Sequence, residues 1–129
     1  MAPPSLPEHV VRFIQRHIHS VLQLEVLLLL RGRGEPWTPA AVAGELRITE
    51  QSAELRLQDL LLRGLLSTDS SERSYVYAPR TEELRALVDA ISECYGTMRY
   101  TTINAIFSVP GDSARTLAEA FRFRKKRED

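Results

Sequence analysis

A single cysteine, Cys94, occurs in the 129 residues, so neither an intramolecular disulfide nor a metal site built from clustered thiolates can form. Its place on an apolar helical stripe marks it as a buried, inert thiol rather than a redox sensor. Only six glycines are present, against abundant leucine and alanine, a bias toward helix. No apolar run is long enough to span a bilayer: residues 21–30 are leucine-rich but short, and Gln23 and Glu25 interrupt them. The opening Met1-Ala2-Pro3-Pro4-Ser5 has neither the charged nor the apolar region of a signal peptide, so a cytoplasmic address is expected. An excess of either charge is also missing, with 17 basic and 17 acidic residues. Phosphate neutralisation supplies much of the affinity of nucleic-acid-binding proteins, so strong nonspecific binding is not expected of the whole chain. A local basic face remains compatible with that balance.

Catalytic and metal-binding patterns are likewise sparse. His17 and His19 are two apart, so on a continuous helix they diverge instead of facing one metal as an i, i+4 pair does. His9 and His17 are eight apart and share a face, but no carboxylate or cysteine completes a ligand set. Gly32-Arg33-Gly34 lacks the lysine and the strand-to-helix setting of a phosphate loop, and no Ser-His-Asp or paired-carboxylate spacing stands out. The chain reads as a non-enzyme that needs no metal and no cofactor.

What is present is an ordinary globular composition, 43% apolar and 26% charged, with one organised pattern over residues 36–77. By length the chain is one domain, 1–129, with N-terminal helices in 5–35, the patterned segment in 36–80 and C-terminal helices in 81–129. Trp37-Thr38 suits a short edge strand leading into a helix over residues 38–46, with Thr38 as N-cap and Pro39 in the first turn, where its missing N–H is harmless. Arg47-Ile48-Thr49 makes a tight turn, and Thr49 caps a second helix, residues 50–63, that stops at Gly64. Leu65-Leu66-Ser67 and Ser74-Tyr75-Val76-Tyr77 read as two strands around a polar tip. Helix, turn, helix, hairpin is the order in which winged DNA-binding domains are built. The expected fold class is mainly α with a small antiparallel β-hairpin, a winged helix-turn-helix with extra N- and C-terminal helices.

These residues give the chain a resemblance to the winged-helix regulators of the MarR and PadR type. The resemblance rests on Trp37-Thr38-Pro39, on Val42-Ala43 and Leu46, on Ile48-Thr49, and on Leu57, Leu60 and Gly64-Leu65-Leu66. It covers about half the chain, and the order of the motifs is more specific than any one of them. Two positions depart from it: Arg47 stands where these turns often carry glycine, and Ala53 where a branched aliphatic residue is common. The resemblance implies a bacterial-type transcription regulator whose second helix enters the major groove while the wing lies along the backbone or minor groove. It also implies that the flanking apolar helices form a homodimer interface.

The flanking segments carry clear helical stripes. Ser5 and Glu8 have capping-box spacing before Val10, Val11, Ile14 and Ile18, and Ser20 and Gln23 repeat it before Leu24, Val26, Leu27 and Leu28. The two segments form either separate helices or one bent helix, ended by Gly32-Arg33-Gly34. Thr81 caps a long helix with the stripe Leu84, Leu87, Val88, Ile91, Tyr95 and Met98, running on to Thr102 and Ile106 until Val109-Pro110-Gly111. A last helix starts at Asp112 or Ser113 and ends in Arg122, Arg124, Lys125, Lys126 and Arg127.

By register, Ala53, Leu57 and Leu60 face the core, which turns Glu50, Gln51, Ser52, Glu54, Leu55 and Gln58 outward. The candidate DNA-binding residues are Thr49, Gln51, Ser52, Arg56 and the wing residue Arg73, with double-stranded DNA as the partner. Between Ser20 and Arg80, however, seven arginines meet eight acids, a net charge of −1. A second function stays open on that ground: a winged-helix protein–protein interaction module that docks a partner on an acidic helix bearing Leu55 and Leu62.

Overall fold

The computed structural model describes residues 6–69, 71 and 73–107. Six helices and one hairpin follow in the order α1 (Glu8–His17), α2 (Val21–Arg33), α3 (Pro39–Leu46), α4 (Glu50–Leu62), β1 (Leu66–Thr68), β2 (Tyr75–Tyr77), α5 (Glu82–Thr97) and α6 (Arg99–Phe107). The last expected helix, with the basic run Arg122 to Arg127, lies outside the described residues.

Side-chain caps fix most of the helix starts. Ser20 Oγ accepts from Gln23 N at 3.0 Å, Thr38 Oγ1 from Ala41 N at 3.1 Å, Thr49 Oγ1 from Ser52 N at 3.0 Å and Thr81 Oγ1 from Leu84 N at 3.1 Å. Each bond satisfies a backbone donor that the first helical turn would otherwise leave unpaired, typically worth about 1 kcal/mol. The expected Ser5–Glu8 box does not define α1: the cap position is Pro7, which has no side chain able to accept, and Ser5 itself lies outside the described residues. A short extended link separates α1 from α2, with Ile18 at φ −106°, ψ 105° and Ser20 at φ −157°, ψ 157°.

Helix α2 reaches Arg33 and ends on Gly34 in the left-handed region, φ 67°. The long C-terminal stripe is divided in two at Met98, φ −131°, ψ 55°. Gly96 and Thr97 are weak helix formers, and Thr102 Oγ1 donates to Met98 O at 2.9 Å, so the interruption falls where propensity is lowest.

The strands sit one residue later than expected at the start of each, paired antiparallel as Leu66 with Tyr77, Ser67 with Val76 and Thr68 with Tyr75. Trp37 adds a single bridge to the outer side of β2, its N–H and C=O both bonded to Tyr75 at 2.8 Å. The edge strand expected at Trp37-Thr38 is thus one residue long.

Helix α2 sits centrally, packed on α4 and on β2, while α3 crosses α4 and α1 packs against α5 and α6. Ala53, Leu57 and Leu60 are fully buried on α4 against Leu24, Leu27 and Leu30 of α2 and Val42 of α3 in one continuous core. A leucine buried this completely contributes roughly 1.5–3 kcal/mol relative to an exposed one. That face holds α4 in place and dictates which residues it turns outward. No helix among the described residues is long and apolar enough to cross a membrane.

Candidate nucleic-acid interface

The turn between α3 and α4 is closed by backbone geometry. Arg47 adopts φ 58°, ψ 49°, the one described residue other than glycine with positive φ, and Ile48 N donates to Ala43 O at 3.0 Å. The departure seen at Arg47 therefore places an arginine in a left-handed site at a cost of about 1 kcal/mol. Its side chain stays exposed beside the start of α4.

Beyond the turn, Glu50, Gln51, Glu54, Leu55 and Gln58 are exposed on one side of α4, as the register required. Thr49 is exposed, but its hydroxyl oxygen already accepts from Ser52 N, so it serves first as a cap. Ser52 and Arg56 are half-buried. Arg56 makes no hydrogen bond among the described residues, and its Nε is buried without a partner. The guanidinium stem is thus packed against protein, and no carboxylate among the described residues pairs with its charge.

The wing tip is organised by Asp69. Its carboxylate accepts from Arg73 N at 3.1 Å, Ser71 Oγ at 3.1 Å and Ser74 Oγ at 3.2 Å. Partial desolvation pushes the carboxyl group up, but these donors outweigh it and hold it below the ordinary value. Arg73 follows on the exposed edge, its guanidinium without a carboxylate partner among the described residues. Of the five sequence-derived candidates, Thr49, Gln51 and Ser52 lie at the start of α4, Arg56 at its middle and Arg73 on the hairpin loop, on separate elements that α3, α4 and the sheet hold in fixed relation.

Ion pairing redistributes the charge in a way that counting residues could not reveal. Arg31 pairs with Asp89 at 2.9 Å, Arg33 with Glu45 at 3.3 Å and Arg63 with Asp59 at 3.1 Å. Arg47, Arg56, Arg73 and Arg80 have no such partner among the described residues. Glu50 and Glu54 likewise have no cationic partner, and Glu54 receives only a long 3.4 Å bond from Gln58. The outer face is of mixed sign, with its free arginines at the turn, in the middle of α4 and on the wing.

One cluster escaped the sequence reading. Helix α1 ends at His17, so His19 lies in the turn beyond it, and the two imidazoles converge instead of diverging. Arg63, at the far end of α4, donates toward His17 Nδ1 at 3.4 Å and His19 Nε2 at 3.3 Å, and to Arg16 O at 3.0 Å. Gln23, 2% exposed, completes the junction: its amide donates to His17 O at 2.9 Å and Asp59 Oδ2 at 2.6 Å, and its oxygen accepts from His19 N at 2.6 Å. The spacing of Gln23 signalled a capping box, but not its second role as the link from the α1–α2 turn to α4. His9 and His17 both line an open groove between α1 and α5, and no group of three or more potential metal ligands occurs among the described residues.

No family model matches this sequence, and no curated protein matches it either. Solved structures do share its fold. The YusO protein of Bacillus subtilis superimposes with a TM-score of 0.51 at 14% identity, over 93% of this chain and 82% of that one. A mutant of MepR from Staphylococcus aureus, bound to an oligodeoxyribonucleotide, gives 0.51 at 15% identity over 92% and 85%. RV1404 from Mycobacterium tuberculosis gives 0.51 at 16% identity over 92% and 82%. The chain, a winged helix-turn-helix with flanking helices, shares its fold with these three proteins over more than nine tenths of its length.

Proposed function

We propose that a chain with this fold is a small transcription regulator that acts in the cytoplasm as a homodimer on double-stranded DNA. One observation carries the reading: α3, the Arg47 turn, α4 and the β1–β2 hairpin present a helix and a wing on one scaffold, and a neighbour of the same fold is a MepR mutant bound to an oligodeoxyribonucleotide. In this arrangement α4 lies in the major groove with Gln51 and Ser52 toward base edges, Thr49 and Arg56 toward the flanking backbone, and Arg73 on the wing as a phosphate contact. The unpaired Arg47, Arg56 and Arg73 supply the local positive charge that the chain lacks as a whole. With few phosphate contacts, the salt dependence of binding is shallow and affinity for random DNA poor. Specificity then rests on the outward side chains of α4 more than on charge.

A homodimer belongs to the same reading, because two half-sites need two reading helices. Helix α6 exposes Tyr100 at 78% and Phe107 at 55%, and α5 leaves Leu84 and Leu87 half-buried beside α1. These surfaces suit a two-fold interface formed by α1, α5 and α6. Light scattering coupled to size exclusion should give twice the 14.6 kDa chain mass at micromolar concentration; the monomer mass across a dilution series would refute the dimer.

A specific observation keeps the protein-docking alternative in view: Leu55 is 54% and Leu62 81% exposed, seven residues apart on α4 beside Glu50 and Glu54. Glu50→Lys separates the readings. It strengthens binding to a genomic DNA pool if α4 meets DNA, and weakens a co-purifying protein if α4 is an acidic docking face. Arg73→Ala should weaken all DNA sequences about equally, whereas Gln51→Ala should change sequence preference by about 1–3 kcal/mol. No shift of any pool at low salt, with a stable partner lost in Glu50→Lys, overturns the regulator reading.

A further inference from the structure

We infer that Arg63, His17 and His19 form an acid-released latch that fixes the C-terminal end of α4 to the turn between α1 and α2. The inference goes beyond DNA binding and stands whether or not α4 reads DNA. Its basis is the hydrogen-bond polarity of the cluster. A guanidinium has only donors, so each imidazole nitrogen facing Arg63 must be a lone-pair acceptor, which a neutral ring offers and an imidazolium does not. Closure therefore requires both rings to be neutral, with His17 protonated on Nε2 and His19 on Nδ1. Adding a proton removes the acceptor and sets a second positive charge about 3.4 Å from Arg63.

The surroundings reinforce this polarity. From α1, Arg16 adds positive charge beside His17, and Arg12 lines the same groove; from α4 come Arg63 and the single carboxylate Asp59; from α5, Glu83 lines the groove. Burial first, then Arg63, Arg16 and His19, push the His17 ring below the ordinary histidine value, and Asp59 opposes them. Asp59 is already engaged by Gln23 Nε2 at 2.6 Å and Arg63 Nε at 3.1 Å, so an imidazolium could turn to it only by displacing one of them. Phe13, with its ring centroid 5.3 Å from that of His17, sets apolar surface against the ring.

The linkage has a definite sign. His17 binds its proton more weakly folded than unfolded, so the closed state is fully favoured above the ordinary value of 6.5 and loses ground as pH falls below it. Opening removes the two imidazole contacts of Arg63 and leaves the Arg63–Arg16 O bond and the Gln23–Asp59 link as the polar ties between the end of α4 and the α1–α2 turn, so that end is loosened while the apolar face of α4 stays in the core.

Hydrogen exchange and ring titration on the full-length protein test the latch without any ligand. The amides of Arg63, Gly64 and Leu65, bonded to Asp59, Leu61 and Leu60, report on the end of α4. Corrected for intrinsic rates, their exchange should rise between pH 7.5 and 5.5 by up to about tenfold per pH unit for each proton taken up. The His17→Gln/His19→Gln variant, whose amides can accept but not titrate, should show a flat profile. In the native sequence the His17 ring should titrate below its ordinary value and move back up in Arg63→Gln, a readout that survives if the double variant folds poorly. A flat profile in the native sequence, the same rise in the double variant, or a His17 titration unmoved by Arg63→Gln overturns the latch.

Discussion

Replacing Gln23 by leucine should destabilise the protein by about 2 kcal/mol, although leucine is of similar size and the side chain is almost fully buried. The side chain is 2% exposed and makes three hydrogen bonds, to His19 N, His17 O and Asp59 Oδ2. Leucine takes the amide partner away from the His19 N–H and the His17 C=O, each loss at the lower end of about 1–3 kcal/mol because the surroundings are only partly buried. The Asp59 side chain is 41% exposed and keeps Arg63, so water replaces its lost donor at little expense. The added apolar burial returns a fraction of the loss. For a domain of this size a change of 2 kcal/mol lowers Tm by roughly 8 °C and moves the urea midpoint by about 1 M. Urea unfolding followed by circular dichroism measures it, with the exposed Gln15→Leu as a control expected within about 0.5 kcal/mol of the native sequence. A loss in Gln23→Leu no larger than in that control, with the fold intact, would show that the α1–α2 turn does not depend on this amide.

Further outcomes follow from single sites. Gly64→Ala places a Cβ 3.3 Å from Arg80 Nε at φ 80° and should cost about 1–2 kcal/mol, whereas Gly34→Ala, at φ 67° in open space, should show only the backbone part, about 1 kcal/mol, in the same unfolding assay. Cys94 is 6% exposed and burial, followed by Glu93, pushes its thiol up, so a thiol reagent at pH 8 should label the native protein orders of magnitude more slowly than the unfolded one; comparable rates would contradict its burial. Asp69→Ala removes the acceptor of the wing tip and should speed amide exchange at Arg73 with little change in global Tm. The native wing should loosen in the same way only as pH falls below the ordinary carboxylate value of 3.8, since its folded pKa is depressed.

Local chemistry made much of this protein legible from its residues alone. The caps Ser20, Thr38, Thr49 and Thr81, the stop at Gly64, and the buried stripe Ala53, Leu57 and Leu60 are set by neighbours within four residues, where helix geometry leaves few choices. The outward residues of α4 followed from the same register, and the left-handed turn showed itself as an arginine where glycine is common.

Tertiary structure alone decided the rest. The division at Met98 depended on weak propensities in a stripe that looks continuous, and the one-residue strand at Trp37 depended on where Tyr75 arrives. Which arginines remain free is a matter of distance: Arg31 is neutralised by Asp89 and Arg33 by Glu45, partners 58 and 12 residues away. His17 and His19 diverge on a continuous helix, and they meet at Arg63 because the chain leaves the helix between them and returns, more than 40 residues later, at the end of α4. Periodicity reports what one element does to itself, whereas a junction of three elements exists only once the core has set their positions.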